Sequence, residues 1–170
     1  IKLIDLGAAG LLHAGDAEGG GLSELCGTPL YAAPEVTPWF YVKTDEQAAR
    51  CRRYGKEVDY WSMGITLFVM LSGEAPFQQS GSLERLLAVV CTASIDTGGK
   101  AWQAVSAEAK TLLTALLKKD PRARMDLDGI HASAWLAPTM VDLEGEIEHE
   151  MQREMQRGVQ RGIAPSPPPP

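Results

Sequence analysis

The strongest constraint on the fold is one long apolar segment, VDYWSMGITLFVMLS, which spans residues 58–72. Its apolar side chains lie on every side of about four helical turns, a pattern typical of a helix that is buried all round. Gly73 is expected to end this helix, and Pro76 prevents it from resuming. Such a helix needs neighbours on all faces, so we predict a mainly α-helical domain built around it.

Two further segments carry apolar residues at helical spacing behind a good N-cap residue. Ser82 and Ser106 can each cap a helix with the side-chain oxygen, and Pro121 is expected to end the second helix. A shorter and weaker helix is predicted at residues 126–135. The apolar stripes consist of Leu83, Leu86, Leu87 and Val90 in the first helix and of Ala109, Leu112, Leu113, Leu116 and Leu117 in the second.

The N-terminal part of the chain lacks this periodicity. Residues 1–4 predict a short apolar strand, and the many glycines of residues 7–21 predict a loop. Residues 26–36 contain two prolines and are expected to be compact but irregular. Residues 37–56 are polar and charged, which predicts an excursion on the surface.

The two ends of the chain differ from the domain between them. In residues 138–163, apolar side chains recur every four positions, which predicts an amphipathic tail helix weakened by glycines. The proline-rich residues 164–170 are expected to form a disordered, extended end. Ile1 opens the chain inside a strand-like run without an initiator methionine, so we expect a fragment, or an incomplete gene model, of a longer protein.

Composition and charge exclude several classes of function. With 170 residues, of which 45% are hydrophobic and 22% charged, the chain is long enough for one globular domain with a core. A net charge of −6 argues against a general nucleic-acid partner, which would require a basic face. The longest apolar run, residues 60–71, is too short to span a membrane, so no membrane partner is predicted.

The cysteines and histidines form no disulfide or metal-ligand pattern. Cys26, Cys51 and Cys91 are odd in number and contain no CxxC pair. This pattern predicts free thiols in a reducing compartment, and hence a cytoplasmic protein. The histidines lie far apart in sequence, so surface or core positions are expected rather than a metal site.

Four short motifs occur in order along the chain. Asp5-Leu6-Gly7 follows the predicted strand, CGTPLYAAPE occupies residues 26–35, DYWSMG residues 59–64 and DPRAR residues 120–124. Each motif alone is weak, because a pattern such as Asp-x-Gly arises often by chance. Together and in this order they resemble the eukaryotic protein kinase family, with its DFG motif, activation segment ending in APE, DxWSxG helix and DPxxR motif.

This resemblance implies the C-terminal lobe of the protein kinase fold, beginning at the strand before the DFG motif. Residues 1–137 would form this mainly α-helical part of an α+β, two-lobe domain. The Gly-Thr-Pro triplet around Thr28 is typical of the serine/threonine class. The implied activity is transfer of the γ-phosphate of ATP to Ser or Thr residues of protein substrates.

The resemblance identifies Asp5 as the metal-binding residue. A carboxylate at the end of a strand, followed by a glycine that frees the backbone, can hold Mg²⁺ against triphosphate oxygens. Asp5 and Gly7 are therefore the candidates for binding Mg²⁺ and ATP in the complete kinase. Without the other motifs, a turn aspartate at a strand end would be the favoured interpretation. Leu6 replaces the usual Phe at a packing position that tolerates the change.

The activation segment supplies the candidate substrate contacts. By resemblance, the Thr28 hydroxyl meets the catalytic aspartate of the complete enzyme. Leu25, Pro29 and Ala32 would line the pocket for the residue that follows the phosphoacceptor. Tyr31 is expected to pack against the domain and not to take part in chemistry.

Glu24 occupies the position at which kinases switched on by loop phosphorylation carry Ser or Thr. A phosphate at this position pairs with arginines and orders the loop. A fixed glutamate supplies part of that charge, so one hypothesis is activity without loop phosphorylation. The alternatives are an exposed loop glutamate and phosphorylation of the adjacent Ser23.

Structural roles are implied for four further residues. The resemblance implies a buried ion pair between Glu35 and Arg124 that ties the activation segment to the helical base. It also implies that Asp59 caps backbone amides of the catalytic loop. Trp61 is expected to pack beside the APE segment.

Several segments resemble the calcium/calmodulin-dependent group within the kinases. They are LSGEAPF at residues 71–77, Trp102, VSAEAK at residues 105–110, Leu116-Leu117, Ile130-His131 and Trp135-Leu136. That group often carries a calmodulin-binding helix after the domain. Residues 141–163 hold more Asp and Glu than Arg, whereas calmodulin targets are basic, so a solvated tail helix is preferred over a calmodulin partner.

The sequence contains none of the catalytic residues that the family carries upstream of the DFG motif. These are the glycine-rich loop, the ATP-anchoring lysine with its glutamate, and the HRD loop with its Asp and Asn. Phosphoryl transfer depends on positioning by these groups, so the chain alone is predicted to be inactive and to need the missing N-terminal half as its partner. That half also covers one side of the long helix, which we therefore expect to be open and apolar here.

Three interpretations remain open. The chain is part of an active serine/threonine kinase, a catalytically dead lobe used for docking or scaffolding, or a non-functional gene remnant. Upstream coding sequence with HRD and lysine motifs would indicate the first. A soluble, cooperatively folding chain without upstream exons would indicate the second. The retained motif residues favour the first.

Overall fold

The computed structural model describes residues 5–10, 12, 22–23, 27–51, 53–77 and 81–137, together with residues 145, 147, 149–153 and 156–157. Its α-helices are α1 (Asp45–Arg50), α2 (Glu57–Ser72), α3 (Leu83–Thr92), α4 (Ala107–Leu116) and α5 (Leu127–His131). Short 3-10 helices lie at Leu6–Ala8, Pro29–Tyr31, Pro34–Tyr41, Lys100–Trp102 and Pro121–Ala123. Within the described ranges there is no strand, and the fold is the mainly α-helical lobe that the sequence predicts. The strand predicted at residues 1–4 lies outside these ranges.

The central helix is α2, which confirms the helix predicted at residues 58–72. Trp61 and Ile65 are fully buried on it, and Phe68 is nearly so. The helix ends at Gly73, which adopts the left-handed conformation with φ of 80° and donates its N–H to the Val69 carbonyl at 2.8 Å. Glycine reaches this conformation without steric cost, so it is the natural residue at this helix end.

The end of α4 packs closely against α2 at Gly64. A Cβ atom placed on Gly64 would lie 2.8 Å from side-chain atoms of Leu117 and 3.0 Å from the Leu116 Cβ. Real Cβ atoms essentially never approach so closely, so a side chain here would force the helices apart. The glycine in the middle of α2 therefore permits the central helix packing of the domain.

One face of α2 is not buried, which corrects the prediction of a helix enclosed on every side. We call this the open face; it consists of Asp59, Met63, Thr66 and Met70, which are all exposed. The exposed fractions of Met63 and Met70 are 45% and 75%, high values for apolar side chains. The sequence also predicted that one side would be left open where the remainder of a kinase domain would pack.

The caps predicted for α3 and α4 are present. The Ser82 hydroxyl accepts a hydrogen bond from the Arg85 N–H, and the Ser106 hydroxyl accepts one from the Ala109 N–H. Each bond satisfies a backbone donor that has no partner within the helix, which is why serine is favoured at this position. The predicted helix at residues 126–135 is shorter, because α5 ends at His131.

The prediction of a surface excursion at residues 37–56 is wrong for its two ends. Thr37 and Trp39 are buried within the 3-10 helix Pro34–Tyr41, and Tyr54 is only 7% exposed. The Trp39 and Tyr54 rings meet edge to face with centroids 6.4 Å apart. Both aromatic side chains belong to the larger cluster of buried apolar residues, whereas α1 between them is largely exposed. We call this cluster the main core; it consists of Ala33, Val36, Trp39, Tyr54, Trp61, Ile65, Phe68, Phe77, Val90, Trp102, Leu113 and Leu117.

Across the described ranges, every helix falls short of the length and apolar character that a membrane span requires.

Candidate functional site

An ion pair between Glu35 and Arg124 connects two remote parts of the chain. Arg124 Nη1 donates to Glu35 Oε1 at 2.8 Å, and Arg124 Nη2 donates to Oε2 at 3.0 Å. This two-pronged geometry matches the planar guanidinium to the carboxylate. The Arg124 side chain is fully buried, and that of Glu35 is 17% exposed. The pair therefore joins the 3-10 helix Pro34–Tyr41 to the segment after α4.

Arg124 also holds the neighbouring backbone. Its Nε donates to the Lys118 carbonyl at 3.1 Å, and its Nη1 donates to the Glu57 carbonyl. Glu57 is the first residue of α2. One buried guanidinium thus connects the end of the predicted activation segment, the start of the central helix and the loop after α4.

The Trp61 ring contacts two cationic side chains and one aromatic ring. The Arg124 guanidinium carbon is 5.3 Å from the centroid of the Trp61 ring, and Lys119 Nζ is 4.9 Å from it. Phe77 stacks on Trp61 with an interplanar angle of 2°. We call Glu35, Trp61, Lys119 and Arg124 the buried corner. The sequence predicted that Trp61 packs beside the APE segment, and Trp61 lies in the same core cluster as Ala33 of that segment.

Lys119 is a member of the buried corner that sequence reasoning missed. Its Nζ lies 4.5 Å from the Phe77 ring centroid and donates to the Val90 carbonyl, one of the last carbonyls of α3. Burial lowers the pKa of the Lys119 amine. Cys91 opposes this change, and the nearby positive charge of Arg124 adds to it. The sequence carried no signal for this role, because a lysine before an Asp-Pro pair is ordinarily a surface residue.

The predicted substrate segment is held to α2 by Ser62, a residue to which the sequence assigned no role. The Ser62 hydroxyl lies 3.1 Å from both the Tyr31 carbonyl and the Val58 carbonyl. Tyr31 is half-buried and packs against the main core, in keeping with a packing role. The serine of the DYWSMG motif was a possible signal, since a hydroxyl within a buried helix usually has a partner.

Three of the predicted substrate-contacting residues lie at the 3-10 helix Pro29–Tyr31: Thr28 precedes it, Pro29 begins it and Ala32 follows it. Thr28 is exposed, and its carbonyl accepts the Tyr31 N–H at 3.0 Å. Pro29 and Ala32 are half-buried and joined by a bond from the Ala32 N–H to the Pro29 carbonyl at 3.2 Å. Ser23 is also half-buried. Two other predicted residues of this segment, Glu24 and Leu25, lie outside the described residues.

Asp5 is exposed and adopts a left-handed backbone conformation with φ of 60°. Its Oδ1 lies 3.4 Å from the Gly7 N–H, a local turn contact that aspartate tolerates well. In the part of the chain that the structure describes, no three His, Cys, Asp or Glu side chains form a group able to hold a metal ion. Mg²⁺ requires near-octahedral oxygen ligands, so Asp5 alone does not complete a magnesium site.

Asp59 lies in the first turn of α2, on the open face. Partial burial raises the pKa of its carboxyl group. Its predicted role is to cap catalytic-loop amides, and the family carries that loop in a segment that this sequence does not contain. The structure therefore brings Glu35, Trp61 and Arg124 together, while Asp5 and Asp59 remain outside the buried corner.

Comparison with known proteins shows that the chain is similar to protein kinases. The family model described as "Protein kinase domain" matches residues 1–136. The mouse protein Ribosomal protein S6 kinase alpha-4 is 35% identical over 142 residues, which are 80% of this chain and 17% of that protein. Mouse Serine/threonine-protein kinase 33 is 32% identical over 136 residues, 80% of this chain and 25% of that protein. Serine/threonine-protein kinase PEPKR2 of Arabidopsis thaliana is 32% identical over 136 residues, again 80% of this chain and 25% of that protein.

The chain thus spans a quarter or less of the length of these relatives.

Proposed function

This chain belongs to the protein kinase family, and from that premise we propose that it is the lobe of a serine/threonine kinase that carries the activation segment. The complete enzyme would transfer the γ-phosphate of ATP to Ser or Thr side chains of protein substrates. The observation that carries the proposal is the bidentate Glu35–Arg124 contact, because it fastens the end of the activation segment to the helical base. The exposed Thr28 precedes that anchor and is available to a substrate.

The roles of the segment follow from this arrangement. Thr28 orients the phosphoacceptor by its hydroxyl, while Leu25, Pro29 and Ala32 form the pocket for the following substrate residue. Asp5 and Gly7 serve Mg²⁺ and ATP once the other ligands are present. Glu24 replaces a phosphate as the fixed negative charge of the loop, with Ser23 as the alternative site of phosphorylation.

The chain by itself is proposed to lack activity, since the groups that hold ATP and orient the phosphoacceptor belong to the other part of the domain. The test is a phosphate-transfer assay with labelled ATP and a Ser/Thr peptide library. The parent protein, recovered with its upstream coding sequence, should transfer phosphate, and residues 1–170 alone should not. A parent protein with intact upstream motifs but no transfer would contradict the proposed function, and genuine turnover by the chain alone would contradict its inactivity.

The substrate role of Thr28 can be separated from its structural role by matched substitutions in the parent protein. Thr28→Val removes the hydroxyl at nearly constant shape and should lower kcat/KM, whereas Thr28→Ser retains the hydroxyl and should lower it less. Equal activities of the two variants would contradict a role for the hydroxyl. Asp5→Asn should abolish transfer in the same assay, because the amide lacks the charge that Mg²⁺ requires.

Assignment to the calcium/calmodulin-dependent group is a narrower proposal. It is supported by the LSGEAPF and VSAEAK segments and by the buried Trp102, whose ring centroid is 4.7 Å from that of Phe68. Residues 1–137 are the proposed lobe and 138–163 a solvated tail helix, in which Ile147 and Met151 are exposed. The acidic tail is proposed not to bind calmodulin; calcium-dependent retention of the chain on calmodulin beads would contradict this.

A cytoplasmic location is proposed from the thiols. Among the described residues, Cys51 and Cys91 are free cysteines, as expected in a reducing compartment.

A further inference from the structure

An antiparallel β-bridge connects the activation segment to the segment that precedes α2. The Leu22 N–H donates to the Tyr54 carbonyl at 2.8 Å, and the Tyr54 N–H donates to the Leu22 carbonyl at 3.1 Å. Both distances are typical of good backbone hydrogen bonds. Leu22 directly precedes Ser23 and Glu24, at which loop phosphorylation or its mimicry is proposed. The bridge therefore holds the chain beside the regulatory position.

The Tyr54 side of this bridge is packed in the main core. Tyr54 is 7% exposed, belongs to the main core and meets Trp39 edge to face. Val42, Ala48 and Cys51 of the same segment are partly buried against that core. A backbone group fixed by a buried ring loses little further freedom when it forms a hydrogen bond, so the bond is stronger than one between two mobile loops.

The Leu22 side of the bridge also contacts Gly10. A Cβ atom on Gly10 would lie 2.3 Å from Leu22 Cδ2, so the Leu22 side chain lies directly over the Gly10 backbone. Leu22 itself packs against the main core. Leu22 thus contacts both Gly10 and Tyr54.

We propose that the connecting segment, residues 42–51 and 53–54, acts as a built-in anchor that holds the activation segment at Leu22 through the Leu22–Tyr54 bridge without a phosphate. In phosphate-dependent loops, the order comes from charge-assisted hydrogen bonds between the phosphate and arginines. Here, two backbone hydrogen bonds to a core residue supply it instead. The bridge itself is independent of enzymatic activity, whereas its regulatory meaning rests on the proposed kinase function.

The first experiment measures amide hydrogen exchange in the 170-residue chain. The Leu22 and Tyr54 amides should exchange at least about tenfold more slowly than unstructured amides of the same local sequence, since they exchange only when the bridge opens. In Leu22→Pro, which lacks the donor, the Tyr54 amide should lose that protection, while core amides such as Leu113 keep theirs. Leu12→Pro, which makes the same replacement at an exposed loop leucine, should leave the Tyr54 amide protected.

A second pair of variants tests the anchor without removing a hydrogen-bond donor. Gly10→Ala places a methyl group where the Leu22 side chain lies and should also release the Tyr54 amide. Gly99→Ala is the matched control, because nothing lies within 4 Å of its added Cβ. An unprotected Tyr54 amide in the unmodified chain, or a Tyr54 amide still protected in both Leu22→Pro and Gly10→Ala, would overturn the anchor.

The regulatory meaning is tested in the parent protein after phosphatase treatment. Leu22→Pro should lower its activity severalfold, and Leu12→Pro should not. Unchanged activity in a Leu22→Pro variant whose bridge has opened would overturn the regulatory role. An inactive unmodified parent would instead contradict the proposed function, and the exchange result would still decide whether the anchor exists.

Discussion

The buried corner and the open face belong to the same helix but differ in which residues supply their contacts. In the buried corner, Arg124 finds the Glu35 carboxylate, the Glu57 and Lys118 carbonyls and the face of Trp61, all within this chain. On the open face, apolar Met63 and Met70 are exposed to solvent. The partners of Arg124 in the buried corner therefore all belong to this chain, whereas the side of α2 that bears Asp59 leaves apolar side chains exposed.

The difference separates structural from chemical parts of the lobe. Glu35 and Arg124 are paired within this chain, and the Trp61 ring lies beside the Arg124 guanidinium. Asp5 and Asp59 have predicted roles that need ATP, Mg²⁺ or the catalytic loop, and they are exposed. Substitutions in the buried corner should therefore change the stability of the chain, and substitutions on the open face should change what it binds.

The largest expected effect is that of removing Arg124. Arg124→Ala leaves the Glu35 carboxylate and two carbonyls without their donor, which should lower the free energy of unfolding by about 3–5 kcal/mol. Urea denaturation followed by circular dichroism measures this loss. Arg122→Ala, in an exposed residue of the same loop, is the control and should change stability by less than about 0.5 kcal/mol. Equal losses in both variants would show that the ion pair contributes no special stability.

A smaller loss is expected from filling the gap between α2 and α4. Gly64→Val places methyl groups against Leu116 and Leu117 and should cost about 2 kcal/mol in the free energy of unfolding, because the two helices must separate. Gly99→Val, at an open position, should be nearly neutral in the same denaturation experiment. If Gly64→Val were as stable as the unmodified chain, the close packing of α4 on α2 would be wrong.

Lys119→Met should lower the free energy of unfolding by about 1 kcal/mol. The variant loses two cation–π contacts and the hydrogen bond to the Val90 carbonyl. Lys118→Met, at the exposed neighbour, is the control and should have little effect on thermal unfolding.

The same variant tests the pKa of Lys119. Burial lowers this pKa from its ordinary value of 10.5, so just below pH 10.5 the unfolded chain binds more protons at this residue than the folded chain. The contribution of Lys119 to stability therefore rises with pH across that window. The difference in unfolding free energy between the unmodified chain and Lys119→Met should shift in favour of the unmodified chain as pH approaches 10.5. A shift in the opposite direction would contradict the lowered pKa.

The smallest effect on stability is expected on the open face. Met70→Gln should change the free energy of unfolding by less than about 0.5 kcal/mol, because the side chain is exposed. It should nevertheless reduce binding of a hydrophobic dye to the folded chain, since it removes the most exposed methionine of the face. A large loss of stability would mean that Met70 is packed, and the contrast between the two faces would not hold.

Local signals in the sequence predicted much of the fold. The α2, α3 and α4 helices and their Ser82, Ser106 and Gly73 ends follow from apolar spacing and from side chains that satisfy neighbouring backbone groups. The motif resemblance selected Glu35 and Arg124 as partners, and the structure places their side chains in contact. These positions could be predicted because either a local rule or a known motif marks them.

The prediction for residues 37–56 failed for a physical reason. Tyr54 stands among polar residues, and Trp39 lies in the short aromatic run Trp39-Phe40-Tyr41, which shows no helical or strand period that would indicate burial. They are buried because the 3-10 helix Pro34–Tyr41 and the approach to α2 bring them together over the core. The contacts of Lys119 and the Leu22–Tyr54 bridge were not predicted from the sequence for the same reason, because they join segments far apart along the chain.

The sequence by itself determined α2, α3 and α4, the residues Ser82, Ser106 and Gly73 at their ends and the family to which the chain belongs, because each depends on neighbouring residues or on short motifs. Tertiary structure alone decided which face of α2 stays open, which lysine lies over Trp61 and where the activation segment is fastened. Those features depend on which remote segments become neighbours in space, and burial changes the energy of a lysine, a tyrosine or a backbone amide only after that packing exists.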